Sequence, residues 1–255
     1  MAALHWTVEG DGPPVVLLHA GGLDSRMFER DVCGLARLAR VLRYDRSGSG
    51  RSPASTGPVD RVEELRMVRT MAFGDRPAVL VGCSLGGQLA VDFAVRYPAL
   101  VAGLLLVGPG LSGVEVSDDR RARMARVAAA AEQGGDKLAD AWFRDPHLAP
   151  HEFSSATTDL VRTMLRDNVD LFLIPPASVA PRPALGRLDR LAAAGHVLVG
   201  EHDDPDNHAI ARVITRAAPA LELHLVPGAG HFPMLERVGW LPRALATLLP
   251  QLKPP

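Results

Sequence analysis

Seven short apolar runs, separated by turns or by longer helical patterns, call for a mostly parallel sheet covered by helices on both faces. Residues 15–19 (VVLLH) are the clearest case, apolar and β-branched in the manner of a strand buried on both sides. The other runs span 4–9, 41–44, 79–83, 103–107, 196–199 and 221–226, and the first alternates enough to lie at an edge. Helical spacing marks 25–39, 59–73, 85–97, 206–217 and 235–249. Pro98 and Pro219 sit just past two of these, where helices stop. The expected fold is α/β, a doubly wound sheet of about seven strands.

Between Gly108 and Leu188 the rhythm breaks. Helical patterns at 118–133, 137–143 and 154–173 surround a turn at Asp145-Pro146, and Pro175, Pro176, Pro181 and Pro183 mark an extended return. This stretch reads as a helical lid, not a separate domain. Residues 1–110 and 187–255 then form the core and 111–186 the lid or cap.

Bulk properties narrow the partners. The 28 basic and 29 acidic side chains leave a formal charge of -1, so no global field draws nucleic acid or an anionic membrane. The N-terminal residues carry His5, Trp6, Glu9 and Asp11 in place of the apolar run of a signal peptide. Apolar stretches such as 101–107 fall far short of the roughly 20 residues that span a bilayer. Cys33 and Cys83 alone imply no disulfide framework. The expectation is a cytoplasmic protein with no nucleic-acid or membrane partner; its oligomeric state stays open.

Chemistry enters at Gly82-Cys83-Ser84-Leu85-Gly86-Gly87, between a strand run and a helical one. Small residues on both flanks let the chain turn sharply and lift the serine hydroxyl out of the sheet. The following helix N-terminus favours a developing oxyanion. A serine needs a base, and Gly230-His231-Phe232 supplies one on a Gly-rich loop after the last strand run. The imidazole needs a carboxylate, and Gly200-Glu201-His202-Asp203-Asp204 follows the penultimate run. Asp203 is the choice, with Asp204 and Glu201 as neighbours and Glu115 a distant alternative.

His19-Ala20-Gly21-Gly22, Asp45-Arg46-Ser47-Gly48-Ser49-Gly50-Arg51-Ser52, the Ser84 turn and the Gly230-His231 loop together resemble the α/β-hydrolase fold superfamily over nearly the whole chain. The resemblance implies an oxyanion hole from the Gly21 and Leu85 amides. It implies acyl transfer to Ser84 with His231 as general base, and no metal or organic cofactor. Ala20 and Cys83 depart from the family's usual glycine and His, Trp or Asn, and the customary first strand is absent or very short. The implied activity is cleavage of a small carboxylic ester, lactone or thioester of apolar acyl character. A cyclase, lyase or cofactor-free peroxidase is the alternative inside the fold, and a non-catalytic ligand-binding protein the alternative outside it.

Other signals carry less. Gly108-Pro109-Gly110-Leu111-Ser112-Gly113 imitates a dinucleotide fingerprint, but Pro109 removes an amide from any phosphate cradle, leaving a loop into the lid as the better reading. The cluster His202, Asp203, Asp204, Asp206 and His208 lacks a metal-site pattern, and Pro146 and Pro150 keep His147 and His151 from a shared helix face. Arg120, Arg121, Arg123 and Arg126 read as a solvated helix face, with an anion-binding site as the alternative. Gly22, Trp142, Phe143, Phe172 and Phe232 are candidate pocket residues. Trp142, Phe143, Phe153, Met164 and Phe172 serve equally well as the lid's own core, and Cys83 is expected to point into the core.

Overall fold

The computed structural model describes residues 3–149, 153–173 and 182–252. His151, Pro150, Pro175, Pro176 and Pro181, on which expectations above rested, lie outside these. One sheet contains β1 (Trp6–Glu9), β2 (Pro14–Leu18), β3 (Arg40–Tyr44), β4 (Ala78–Cys83), β5 (Val101–Val107), β6 (Gly195–Gly200) and β7 (Leu221–Val226), in the order β1-β3-β2-β4-β5-β6-β7. β1 runs antiparallel to β3 at the edge, and every other pairing is parallel. All seven expected strands form.

Every residue of β2 and β4 is buried, because both faces of the sheet are covered. Side chains alternate across the pleat. Val15, Leu17, Val79, Val81 and Leu105 pack with α1 (Val32–Ala36) on one face. Val16, Leu18, Leu80, Leu104 and Leu106 pack with α2 (Arg61–Phe73) and α3 (Leu85–Arg96) on the other. Strand order reverses between β2 and β4, so the loops leaving their carboxyl ends part there and open a crevice.

Between β5 and β6 the chain forms α4 (Asp118–Ala131), α5 (Gly135–Arg144), α6 (Ser155–Asp167) and α7 (Asp170–Leu173). Val127, Leu138, Val161 and Met164 from these helices join the same buried cluster as the sheet's first face. After β6 come α8 (Pro205–Ala217), α9 (Pro233–Glu236) and α10 (Trp240–Leu248), the last two following β7. No helix among the described residues is long and apolar enough to cross a membrane.

Three expected helices are each two pieces. Residues 25–39 divide into a 3-10 turn, Ser25–Phe28, and α1, with Asp31 between them accepting a hydrogen bond from the Gly239 amide. Residues 154–173 break at Asn168, whose side chain accepts from the Gly50 amide at 2.8 Å and donates to Asp24 at 2.9 Å. Residues 235–249 break where Arg237 is extended and Gly239 takes φ +75°. In each case a long-range bond or a left-handed glycine outweighs helical spacing.

Candidate active site

Ser84 stands at the bend between β4 and α3 with φ +54°, the one positive φ outside glycine among the described residues. That geometry carries strain and persists because the neighbours leave no alternative. A Cβ on Gly82 would fall 2.4 Å from the Gly86 carbonyl oxygen, and one on Gly86 2.0 Å from that of Leu18. The Ser84 amide donates to Val107, pinning the bend to β5. Cys83 is buried in the core as expected, and burial pushes its thiol well up.

His231 is almost fully buried, and its Nδ1 lies 2.9 and 3.0 Å from the two oxygens of Asp203. Asp203 also accepts from the Asp204 amide at 2.7 Å and from Asn207 Nδ2 at 2.8 Å. Burial by itself would raise its carboxyl, but the His231 charge and these hydrogen bonds outweigh it and hold it below the ordinary range. With the Asp203 carboxylate as acceptor, Nδ1 carries the ring proton and Nε2 is left as the acceptor. Asn207 Nδ2 also lies 3.0 Å from Nδ1, two donors converging on one carboxylate. The remaining acids are elsewhere: Asp204 pairs with Arg123 and caps α8, Glu201 accepts from the Gly228 amide, and Glu115 is exposed.

Ser84, His231 and Asp203 all line one cavity of about 440 Å³, together with Gly21 and Leu85. No hydrogen bond joins Ser84 Oγ to His231 among the described residues; the cavity is what they share. A Cβ on Gly21 would touch the Leu85 side chain at 3.5 Å, so those two residues are neighbours. Arg46 secures the Gly21 loop from below. It is buried, and its guanidinium donates to the carbonyls of His19 at 2.6 Å and Ala20 at 2.9 Å. Burial lowers it to about 10. The His19 ring accepts the Arg46 amide through Nε2 and is kept neutral by burial and by Arg46 itself.

Gly22, Trp142, Phe172 and Phe232 line the cavity, with Trp142 and Phe232 stacked at 5.7 Å. Gly22, at φ +73°, makes room for Phe172: a Cβ there would fall 2.5 Å from the ring. Phe143 is a correction. It is not a lining residue; it packs edge-on against Trp142 and Phe153 under Arg162, because one step along α5 turns it about 100° away from the cavity. Met164 is likewise fully buried in packing.

The solvated arginine face is a second correction. Arg121 and Arg126 are exposed, but Arg120 and Arg123 line the cavity with Met124 and Val127, an i, i+3, i+4, i+7 stripe. Arg123 is buried among Asp119, Asp145 and Asp204, so charge pairing offsets its loss of hydration. That stripe was legible as spacing; Arg46 lies within the motif at 45–52, but nothing in the sequence marks its hold on the Gly21 loop, and Asn207 has no signal beyond lying near Asp203. Gly108, at φ +48°, presses against the Asp203–His231 pair, which explains the glycine at that position. Among the described residues, the one His and carboxylate group able to hold a metal ion is His196, Glu222 and His224 on β6 and β7, none of which lines the cavity.

Residues 15–242 match the profile described as "Alpha/beta hydrolase family". The chain is 30% identical over 249 residues to a pimeloyl-[acyl-carrier protein] methyl ester esterase of Chromobacterium violaceum, covering 93% of this chain and 94% of that one. It is 29% identical over 248 residues to a 2-succinyl-6-hydroxy-2,4-cyclohexadiene-1-carboxylate synthase of Enterobacter sp., covering 94% and 91%. Some matches are shorter: that to the Vibrio campbellii methyl ester esterase covers 41% of this chain and 40% of the relative, at 35% identity. The fold of MenH from S. aureus superposes with a TM-score of 0.81 at 17% identity, covering 97% of this chain and 98% of that one.

Proposed function

The chain belongs to the alpha/beta hydrolase family, and from that premise we propose that it is a serine hydrolase cleaving a small carboxylic ester, lactone or thioester through an acyl-enzyme. The observation that carries this reading is the Asp203–His231 contact at 2.9 Å beside the cavity that Ser84 also lines. It commits the Nδ1 proton and leaves Nε2 free to receive another.

In the proposed cycle, Ser84 Oγ attacks the substrate carbonyl carbon while its proton passes to His231 Nε2. The carbonyl electron pair moves onto oxygen, and the amides of Gly21 and Leu85 hold that oxyanion; the Leu85 amide, first in α3, has no helical partner of its own. Collapse of the tetrahedral intermediate expels the alkoxide or thiolate, which takes the proton from Nε2. Water then attacks the acyl carbon, giving its proton to Nε2, and the second collapse returns that proton to Ser84 and releases the acid. Asp203 stays ionised and stabilises the imidazolium. The acyl group rests against Trp142, Phe172 and Phe232, with α4 to α7 acting as the lid. The cavity is not wholly apolar: Arg46, Arg61, Arg120 and Arg123 also line it.

Hydrolysis of p-nitrophenyl esters and labelling by a fluorophosphonate, both abolished in Ser84→Ala, test the reading. Turnover undiminished in Ser84→Ala would sink it. A second reading is a lyase or cyclase in which His231 removes a substrate proton and Ser84 orients it; the near full-length likeness to the synthase and the arginine wall favour it. Labelling without ester turnover would support that alternative.

A further inference from the structure

Helix α4 and its N-cap hold the stretch from Asp203 into the first turn of α8 at three points. Ser117, its N-cap, donates from its amide and hydroxyl to Asp206 at 2.8 and 3.0 Å. One turn later, Arg120 Nη1 donates to Asn207 Oδ1 at 2.7 Å. After another turn, Arg123 Nη2 donates to Asp204. Each contact lies three residues beyond the last, so successive side chains are about 60° apart and neighbours along the helix surface.

The middle contact reaches furthest. Asn207 is buried, and its Nδ2 donates to Asp203 Oδ1 at 2.8 Å. An asparagine amide has nearly the same shape when turned over, so its partners decide which end faces where. Arg120 has donors only and demands the oxygen. The amide nitrogen is thereby left for Asp203. Were the amide reversed, a carbonyl oxygen would face a buried carboxylate and push it off His231.

We infer that Asn207 and Arg120 are positioning residues: Arg120, on α4, fixes the Asn207 amide, and Asn207 holds Asp203 against His231. The seating of α4 on the acid loop then sets whether the Asp203–His231 pair is in working order. Because α4 also lines the cavity through Met124 and Val127, a ligand beneath it bears on the same helix. This inference rests on the reading of Ser84, His231 and Asp203 as a triad.

The test uses the full chain with Asn207→Ala, Arg120→Met, Arg120→Lys and Ser84→Ala. Ester kinetics across pH are read alongside the His231 ring titration by NMR of histidine-labelled protein. Asn207→Ala and Arg120→Met are expected to lower kcat about 10- to 100-fold with KM within about threefold, as small displacements of a catalytic group do. The acid limb of the kcat/KM profile and the His231 midpoint move away from their wild-type positions, because the Asp203 carboxylate is no longer held against the ring as before. Arg120→Lys, which keeps a cationic donor, recovers most of the rate. Unchanged pH limb and NMR midpoint in both deletion variants would overturn the inference, even with a lower kcat, because a general loss of packing leaves them in place. If no ester is turned over by any form, the hydrolase reading fails, and the NMR midpoint alone still decides the roles of Asn207 and Arg120.

Discussion

Gly108 backs directly onto His231: a Cβ at Gly108 would sit 2.8 Å from Nδ1, and 2.7 Å from the Asp203 oxygen beside it. The end of β5 is thus a wall of the candidate site, and its shape depends on a missing side chain. In Gly108→Ala the new methyl cannot fit without moving the pair, and φ +48° adds roughly 1–2 kcal/mol of left-handed strain. We expect kcat to fall by about 100-fold while the fold survives. Steady-state kinetics beside a thermal melt check this; a rate near wild type would mean that the pair tolerates displacement.

Asp203→Asn keeps the shape and removes the charge. Its amide would present a donor toward Nδ1 or force the ring to its other tautomer, so Nε2 could no longer accept the serine proton. A loss of about 10⁴ in kcat follows from the general behaviour of Ser-His-Asp sites. Stability changes with pH by the same contact. The folded-state carboxyl lies below its unfolded value, so it stabilises the fold above about pH 4 and the benefit fades as pH falls through the folded value. The stability gap between wild type and Asp203→Asn, from urea melts, should therefore shrink in acid.

Asp92 has the opposite sign. It lines the cavity from α3, and burial raises it to about 6, although Ser112, Arg187 and Gln88 pull it down. Between roughly pH 4 and 6 the folded chain binds the extra proton, so stability is lost as pH rises through that window. At about 1.4 kcal/mol per pH unit the cost near pH 7 is on the order of 3 kcal/mol. Asp92→Asn should be the more stable form at pH 7 and lose that advantage below about pH 4. Equal melts at both pH values would contradict it.

Arg46 holds two carbonyls of the loop that presents Gly21. Arg46→Met leaves both acceptors buried without their donor, at about 2–4 kcal/mol. Beyond that loss, the loop is free to shift the proposed oxyanion donor, so kcat should drop further than the melting temperature alone explains. Comparison at a temperature where both proteins are fully folded separates the two effects.

Much of the framework was readable because it is set locally. Strand runs such as 15–19 are apolar throughout since both faces of a parallel sheet are covered, and burial of every β2 residue follows. The Ser84 bend announced itself through Gly82 and Gly86, although the close approach that bars a side chain at Gly86 comes from Leu18 on β2. Helix continuity was read less well. Nothing in residues 154–173 signals that Asn168 will leave the helix to bind Gly50 and Asp24, partners more than a hundred positions away.

The amino-acid order alone determined where the strands lie, where the chain turns at Ser84 and which loop carries His231, since each is marked by residues close together along the chain. Tertiary structure alone decided that His231 pairs with Asp203 while Asp204 turns to Arg123. It also decided that Phe143 faces away from the cavity while Arg120 and Arg123 face into it. The reason is physical: a side chain's direction and its counterion are chosen by what packs against it, and those neighbours come from distant parts of the chain.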